Sequence, residues 1–238
     1  MSLIDVFSES VTYPLNDIVK WIIVGIVGLL AGLSSTLSSS GQDSFIIILL
    51  AGIISIIFSI ILSGYGIEVI KKGIQHSDEV PGFDIMANLI NGIKVVIISI
   101  VYMIIPFIIG LIILGSSAIF GAAINQSFAV LSFATIIVLI IAILFGIFEL
   151  VAVARFANSG DLGDALNVGE VFADAKRIGI LKIILFLIIF IIIAMIAALI
   201  IGLFGIIPFV GVLIATILIS GFITLFGYKA LGLLYASG

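Results

Sequence analysis

Residues 183–202 read Ile-Ile-Leu-Phe-Leu-Ile-Ile-Phe-Ile-Ile-Ile-Ala-Met-Ile-Ala-Ala-Leu-Ile-Ile-Gly, 20 positions without a charge or a polar side chain. A helix of about 20 such residues crosses the roughly 30 Å hydrocarbon core of a bilayer. It is apolar all round, so no face is left to turn toward water. Alternating ten-residue strips would signal a transmembrane barrel, and this unbroken run excludes one. The rest of the chain agrees. Of its 238 residues 63% are hydrophobic and 9% charged, and the mean hydropathy is +1.55. Soluble domains are about 45–50% apolar and 25% charged, so a soluble enzyme is excluded.

Similar runs place spans at 18–38, 45–70, 93–114, 128–154, 178–202 and 209–231. All nine basic residues precede an odd span or follow an even one: Lys20, Lys71, Lys72, Lys94, Arg155, Lys176, Arg177, Lys182 and Lys229. The opposite connections hold a single acid, Asp43. The positive-inside rule then makes the charged side cytoplasmic, with both termini inside. No basic n-region precedes a cleavage site at Met1–Asp5, so the first span is expected to stay in the mature protein.

The pattern of short polar-apolar segment, basic residue, span, loop and span occurs three times, in units 1–72, 84–157 and 164–232. Leu3–Thr12, Asp84–Ile93 and Asp164–Ile178 lead the units, with Asp84 and Asp164 placed as helix N-caps. The predicted fold is thus an all-α integral membrane bundle, one domain over 1–238. It has six transmembrane helices as three hairpins, each preceded by a cytoplasmic amphipathic interfacial helix.

Polar residues inside the apolar runs are the candidate functional positions. Ser55, Ser59 and Ser63 share one face of the second span, and Thr216, Ser220 and Thr224 one face of the sixth. Such a seam serves close helix packing, with hydroxyls bonded back along their own helix, or else lines a cavity. Glu68 and Glu149 are carboxylates inside apolar segments, where an acid is costly unless neutral, paired or hydrated. Lys71 and Lys72 stand three and four residues beyond Glu68, an easy local pair, whereas Glu149 has no such partner on its helix. Glu149 is therefore the stronger candidate for an intramembrane proton or cation site. Pro106 is expected to kink the third span, and Pro208 to form a tight outer turn.

Other chemistry is thin. There is no cysteine, and His76 is the only histidine, so thiolate and His-rich metal sites are excluded. Asp161-Leu162-Gly163-Asp164 resembles half of a magnesium–diphosphate aspartate pair, but no second cluster accompanies it and helix capping is the expected role. Neither a catalytic residue, a metal nor a cofactor is expected, and the protein is read as a non-enzyme. A net charge of −4 without a basic run argues against nucleic acid. The expected partners are membrane lipids, with a second copy or a heterologous membrane subunit.

Several short motifs carry a family resemblance: Tyr13-Pro14-Leu15-Asn16-Asp17-Ile18-Val19-Lys20-Trp21, Gly64-Tyr65, Val80-Pro81-Gly82-Phe83-Asp84, Gly92-Ile93-Lys94 with Tyr102 and Pro106, and Ala154-Arg155-Phe156-Ala157. On these the chain resembles the archaeal membrane proteins of the domain-of-unknown-function family 4013. That family is similar in layout to the membrane domain of some glycerophosphodiester phosphodiesterases. The resemblance implies an archaeal plasma membrane and transfers no catalytic or ligand residue. The expected function is a binding or transport module for a lipid or other apolar molecule. The alternative is a structural or accessory subunit of a membrane complex.

Overall fold

A computed structural model describes residues 1–39, 41, 44–124, 127–204 and 210–238; Asp43 and Pro208 lie outside the described residues. Among these, the regular structure is entirely helical. Helix α1 (Leu3–Thr12) starts at Ser2, whose hydroxyl and the Asp5 carboxylate form a reciprocal capping box. A 3-10 turn, Tyr13–Asn16, carries Pro14 and ends the run. Asp17 then caps α2 (Ile18–Ala31) by accepting from the Lys20 amide. The chain bends by 97° between Leu3–Asn16 and Ile18–Ala31.

The first expected span differs in detail. Helix α2 has 14 residues, about 21 Å at 1.5 Å per residue, and a short α3 (Leu33–Ser39) follows the break at Gly32. The remaining helices are α4 (Phe45–Ile74), α5 (Ile85–Ala123), α6 (Ser127–Ser159), α7 (Leu162–Leu166), α8 (Val168–Ile178), α9 (Ile180–Phe204) and α10 (Val210–Ala236). Among the described residues five helices are long and apolar enough to cross a membrane, or six with the bent α1–α2 run counted as one.

Two lead segments also depart from expectation. Asp84 caps a helix as predicted, accepting from the amides of Met86 and Ala87. The helix it starts, however, is α5 itself, 39 residues without a break, so 84–93 is no separate interfacial helix. No proline or helix-ending turn separates the polar start from the apolar run, and backbone bonding continues through it. In the third unit Asp164 is not the cap: Asp161 caps α7 and Asn167 caps α8. Pro106 lies buried within the continuous α5 rather than at a break. Gly160 (φ 75°) ends α6 and Gly179 (φ 98°) ends α8, both in the left-handed region that glycine tolerates.

Long helices that follow one another in the chain alternate in direction. Val24 meets Tyr65 in one core cluster and Ser34 meets Ser55, so α2–α3 and α4 are antiparallel. Ser99 meets Glu149 and Gly110 meets Val138, so α5 and α6 are antiparallel. Lys182 meets Ser237 and Phe190 meets Gly227, which makes α9 and α10 antiparallel. Helices α4 and α10 run parallel, with Gly66 against Tyr228 and Gly232 against Ile70. These pairings gather the basic residues at one end. The buried core is concentrated there too, around Val6, Ile70, Ile98, Val151, Ile183 and Leu233. The far halves of α4, α5, α6 and α9 expose Ile, Leu and Phe, as expected of helices that bury their own backbone bonds and face hydrocarbon.

Candidate functional site

At the basic end the connection between α4 and α5 is fastened by its own backbone. Five consecutive carbonyls each accept a side-chain donor from another part of the fold. Lys229 donates to Ser77 O (2.8 Å), Asn16 to Asp78 O (3.1 Å) and Tyr13 to Glu79 O (2.9 Å). Lys20 donates to Val80 O (2.6 Å) and Tyr65 to Pro81 O (3.1 Å). An extended loop cannot bond to itself, so these donors satisfy groups that would otherwise be stranded beside the core. The Lys229 side chain is wholly buried, with Glu9 Oε1 at 3.5 Å and the Tyr13 ring at 5.0 Å. Burial pushes the Tyr13 hydroxyl above its ordinary range, which keeps it a donor. Lys72 pairs with Glu79 across the loop, and its hydrogen bond holds that carboxyl low. His76, at φ 51°, faces Glu9 at 3.8 Å.

A second clasp centres on Arg155 at the end of α6. It pairs with Glu170 and with Asp174 (2.8 Å) on α8 and donates to Asp164 O (3.1 Å). Tyr235 of α10 donates to the same Asp174 oxygen at 2.7 Å, and Tyr102 donates to Ala165 O at 2.9 Å. Burial alone would raise the Asp174 carboxyl; the Tyr235 and Arg155 hydrogen bonds outweigh it and hold the group below its ordinary range. The clasp ties α5, α6, α7, α8 and α10 together. Sequence reading uses Arg155 as a topology marker and a family motif residue but not as a clasp, because its partners lie 9–19 residues away on α7 and α8.

The sequence-predicted polar residues separate. Ser55 accepts from the Ser34 amide (2.9 Å), Ser220 donates to Gly25 O (3.1 Å), and Ser63 donates back to Ser59 O (2.8 Å). The two hydroxyl rows thus serve different neighbours, and Thr216 is half-buried. Glu68 does not pair with Lys71 or Lys72, as its sequence suggested; its hydrogen-bond donor is Asn91 of α5 at 3.4 Å. Lys72 is drawn away by Glu79. Glu149 accepts from the Ser99 hydroxyl on α5. Among the described residues no three His, Asp or Glu side chains converge as a metal-ion site would require.

The cavities are apolar instead. Leu150 of α6, Phe186, Leu187 and Phe190 of α9, and Thr224 and Tyr228 of α10 line a cleft of about 350 Å³. Phe186 and Phe190 of its lining belong to a longer chain of rings. Phe7 stacks on Phe186 (5.2 Å between centroids), Phe186 on Phe190 (6.3 Å) and Phe190 on Phe226 (6.2 Å); Phe222 and Trp21 continue it. Through these rings α9 is anchored to α10 and α1. Between α5, α6 and α8 a second groove of about 500 Å³ is lined by Tyr102, Phe145, Phe148, Val168 and Phe172. The Lys176 ammonium lies 4.3 Å from the Phe172 ring.

The model of a family described as "Protein of unknown function (DUF4013)" matches residues 47–206. The chain belongs to the DUF4013 family. No curated protein and no solved structure matches it. The match starts within α4 and extends past the end of α9, so Arg155 and its α8 partners lie inside it. The α10 floor of the apolar cleft and the Tyr13–Lys20 donors lie outside it. In this DUF4013 protein the family-matched helices therefore supply two walls of the cleft, and α10 closes it.

Proposed function

We propose that this is a six-pass plasma-membrane protein that takes up a lipid or other apolar molecule in the cleft between α6 and α9. In this reading α2–α3 makes the first crossing, and the crossings form three hairpins with both termini on the cytoplasmic side. Helices α1 and α8 lie in the cytoplasmic interface. The charge segregation supports that orientation through the positive-inside rule. The observation that carries the binding role is the cleft itself: about 350 Å³ with aromatic and aliphatic walls. Pockets of roughly 300–1,000 Å³ are the usual size for small-molecule sites. Thr224 gives its floor a hydroxyl for a carbonyl or a glycerol oxygen.

The accessory-subunit alternative draws on small and hydroxyl residues available to partner helices. Here Gly25, Ser55 and Ser220 are already used between helices of the same chain, which favours the binding role. Neither reading involves catalysis. Native mass spectrometry of protein released gently from its own membrane is the test. The binding role predicts a lipid-sized adduct at fixed stoichiometry that Leu187→Trp, which fills the cleft, abolishes. A lipid-free chain bound to a heterologous subunit would replace this reading with the accessory one.

A further inference from the structure

Five acids at the basic end have a cation within reach. Asp17 pairs with Lys20, Glu79 with Lys72, Glu170 and Asp174 with Arg155, and Glu9 with Lys229. The two acids within the apolar segments do not. Glu68 and Glu149 each accept a hydrogen bond from an uncharged side chain, and neither has a basic group within ion-pair distance. A carboxylate so placed in a membrane helix is costly and marks a site for a charge that arrives from elsewhere.

Glu149 stands on the face of α6 that meets α5, about two turns from Ala142, the nearest α6 residue lining a groove there. On α5, Ser99, Met103, Pro106 and Gly110 follow at three- and four-residue spacing and share one face. On α6, Val138, Ala142, Gly146 and Glu149 do the same. The two stripes meet at Gly110–Val138, at Met103–Gly146 and at Ser99–Glu149. Between them lies a groove of about 340 Å³ lined by Met103, Pro106, Phe107, Gly110, Val138 and Ala142. Pro106 has no amide hydrogen, so the Tyr102 carbonyl four residues earlier loses its helical partner near the same end. Lys94, the cation nearest along α5, rests over the Phe156 ring (5.5 Å), two turns beyond Glu149 on α6.

We propose that this groove binds an amphipathic organic cation, a membrane-dissolved amine or quaternary ammonium. Its apolar tail lies along Pro106, Phe107 and Ala142, and its charged head sits against Glu149. An anionic or zwitterionic headgroup would bring an oxyanion to a carboxylate, so the uncompensated acid selects a cation. This groove lies on a different face of α6 from the lipid cleft, and the two readings stand independently.

The probe is a photoreactive alkyltrimethylammonium, with its neutral 3,3-dimethylbutyl isostere as control. Both are crosslinked to the protein in membranes, and the labelled peptides are mapped. The cation labels α5–α6 saturably and at least about tenfold better than the isostere, the factor equal to 1.4 kcal/mol of charge pairing. Glu149→Gln brings its labelling down to the isostere's level, while the lipid adduct of the α6–α9 cleft persists. Equal labelling by the two probes, or undiminished labelling of Glu149→Gln, overturns the proposal. Should Glu149→Gln fail to accumulate, Ala142→Phe fills the groove and leaves the acid in place. Full labelling of a folded Ala142→Phe protein refutes the site equally.

Discussion

Replacing Gly64 with alanine tests the tightest crossing in the fold. A methyl built there would lie 1.7 Å from Asn88 O, 2.5 Å from Gly92 N and 2.7 Å from the Asn88 carbonyl carbon. All three are backbone atoms in the first turns of α5 and cannot rotate away. Gly92 stands in the reciprocal position, its own methyl 1.9 Å from Ile60 O. Ordinary contact begins at 3.4 Å, so α4 and α5 must separate by about 1.5 Å. Close approach at small residues is how membrane helices gain packing energy, since lipid is as apolar as the side chains. Overpacking a well-fitted site costs about 1–3 kcal/mol, and a clash with backbone atoms that cannot rotate away puts this one near 3. At about 2–4 °C per kcal/mol for a chain of this size, Gly64→Ala melts about 6–12 °C early. Gly115→Ala is the control: nothing lies within 4 Å of its added methyl, and it melts with the parent or slightly later. Trp21, the only tryptophan, packs against Phe222 and reports unfolding by its fluorescence in detergent. If Gly64→Ala melts within a degree of the parent, or the control falls as far, the close crossing is wrong.

Two further outcomes follow from the basic end. Arg155→Met leaves Glu170 without its cation and Asp174 with only Arg177 (3.4 Å), and destabilises the protein by about 2–3 kcal/mol, below the cost of a fully buried pair because Glu170 is half exposed. Folding lowers the Asp174 carboxyl, so its contribution is complete above the ordinary value of 3.8 and fades as pH falls through the folded value. Thermal melting against pH should show that acid-side loss in the parent and a flattened profile in Arg155→Met. The orientation is open to single-cysteine labelling, since the chain has no cysteine of its own. Ala123→Cys reacts with an impermeant maleimide on intact cells and Ser8→Cys only after permeabilisation; the reverse pattern would invert the topology.

The elements that sequence reading placed well are those decided by local chemistry. The apolar runs, the Asp84 cap and the amphipathic segments at α1 and α8 need only neighbours within a few residues. The misplacements also have local causes. The segment 84–93 was predicted as a separate interfacial helix because its pattern changes at Lys94, yet nothing there stops backbone bonding, and α5 continues. Asp164 lost the capping role to Asp161 and Asn167, each one turn better placed for its helix. Of the candidate site residues, Glu149 has its donor on another helix, Ser99, 50 residues earlier.

Sequence alone determined that this is a helical membrane protein, because 63% hydrophobic residues in unbroken runs have no other solvent in which to fold. It determined too that the basic residues fall at alternate ends of successive runs, since that is a matter of order along the chain. Tertiary structure alone decided where each charge finds its partner. Lys229 reaches Ser77 O across 152 positions and Lys182 reaches Ser237 across 55. Nor could order along the chain show that α9 leans on α10 through stacked rings and leaves a cleft beside α6. In apolar helices almost every face can bury against almost any other, so the pairing rests on small-residue fit and a few polar clasps. Those become visible only once the helices are side by side.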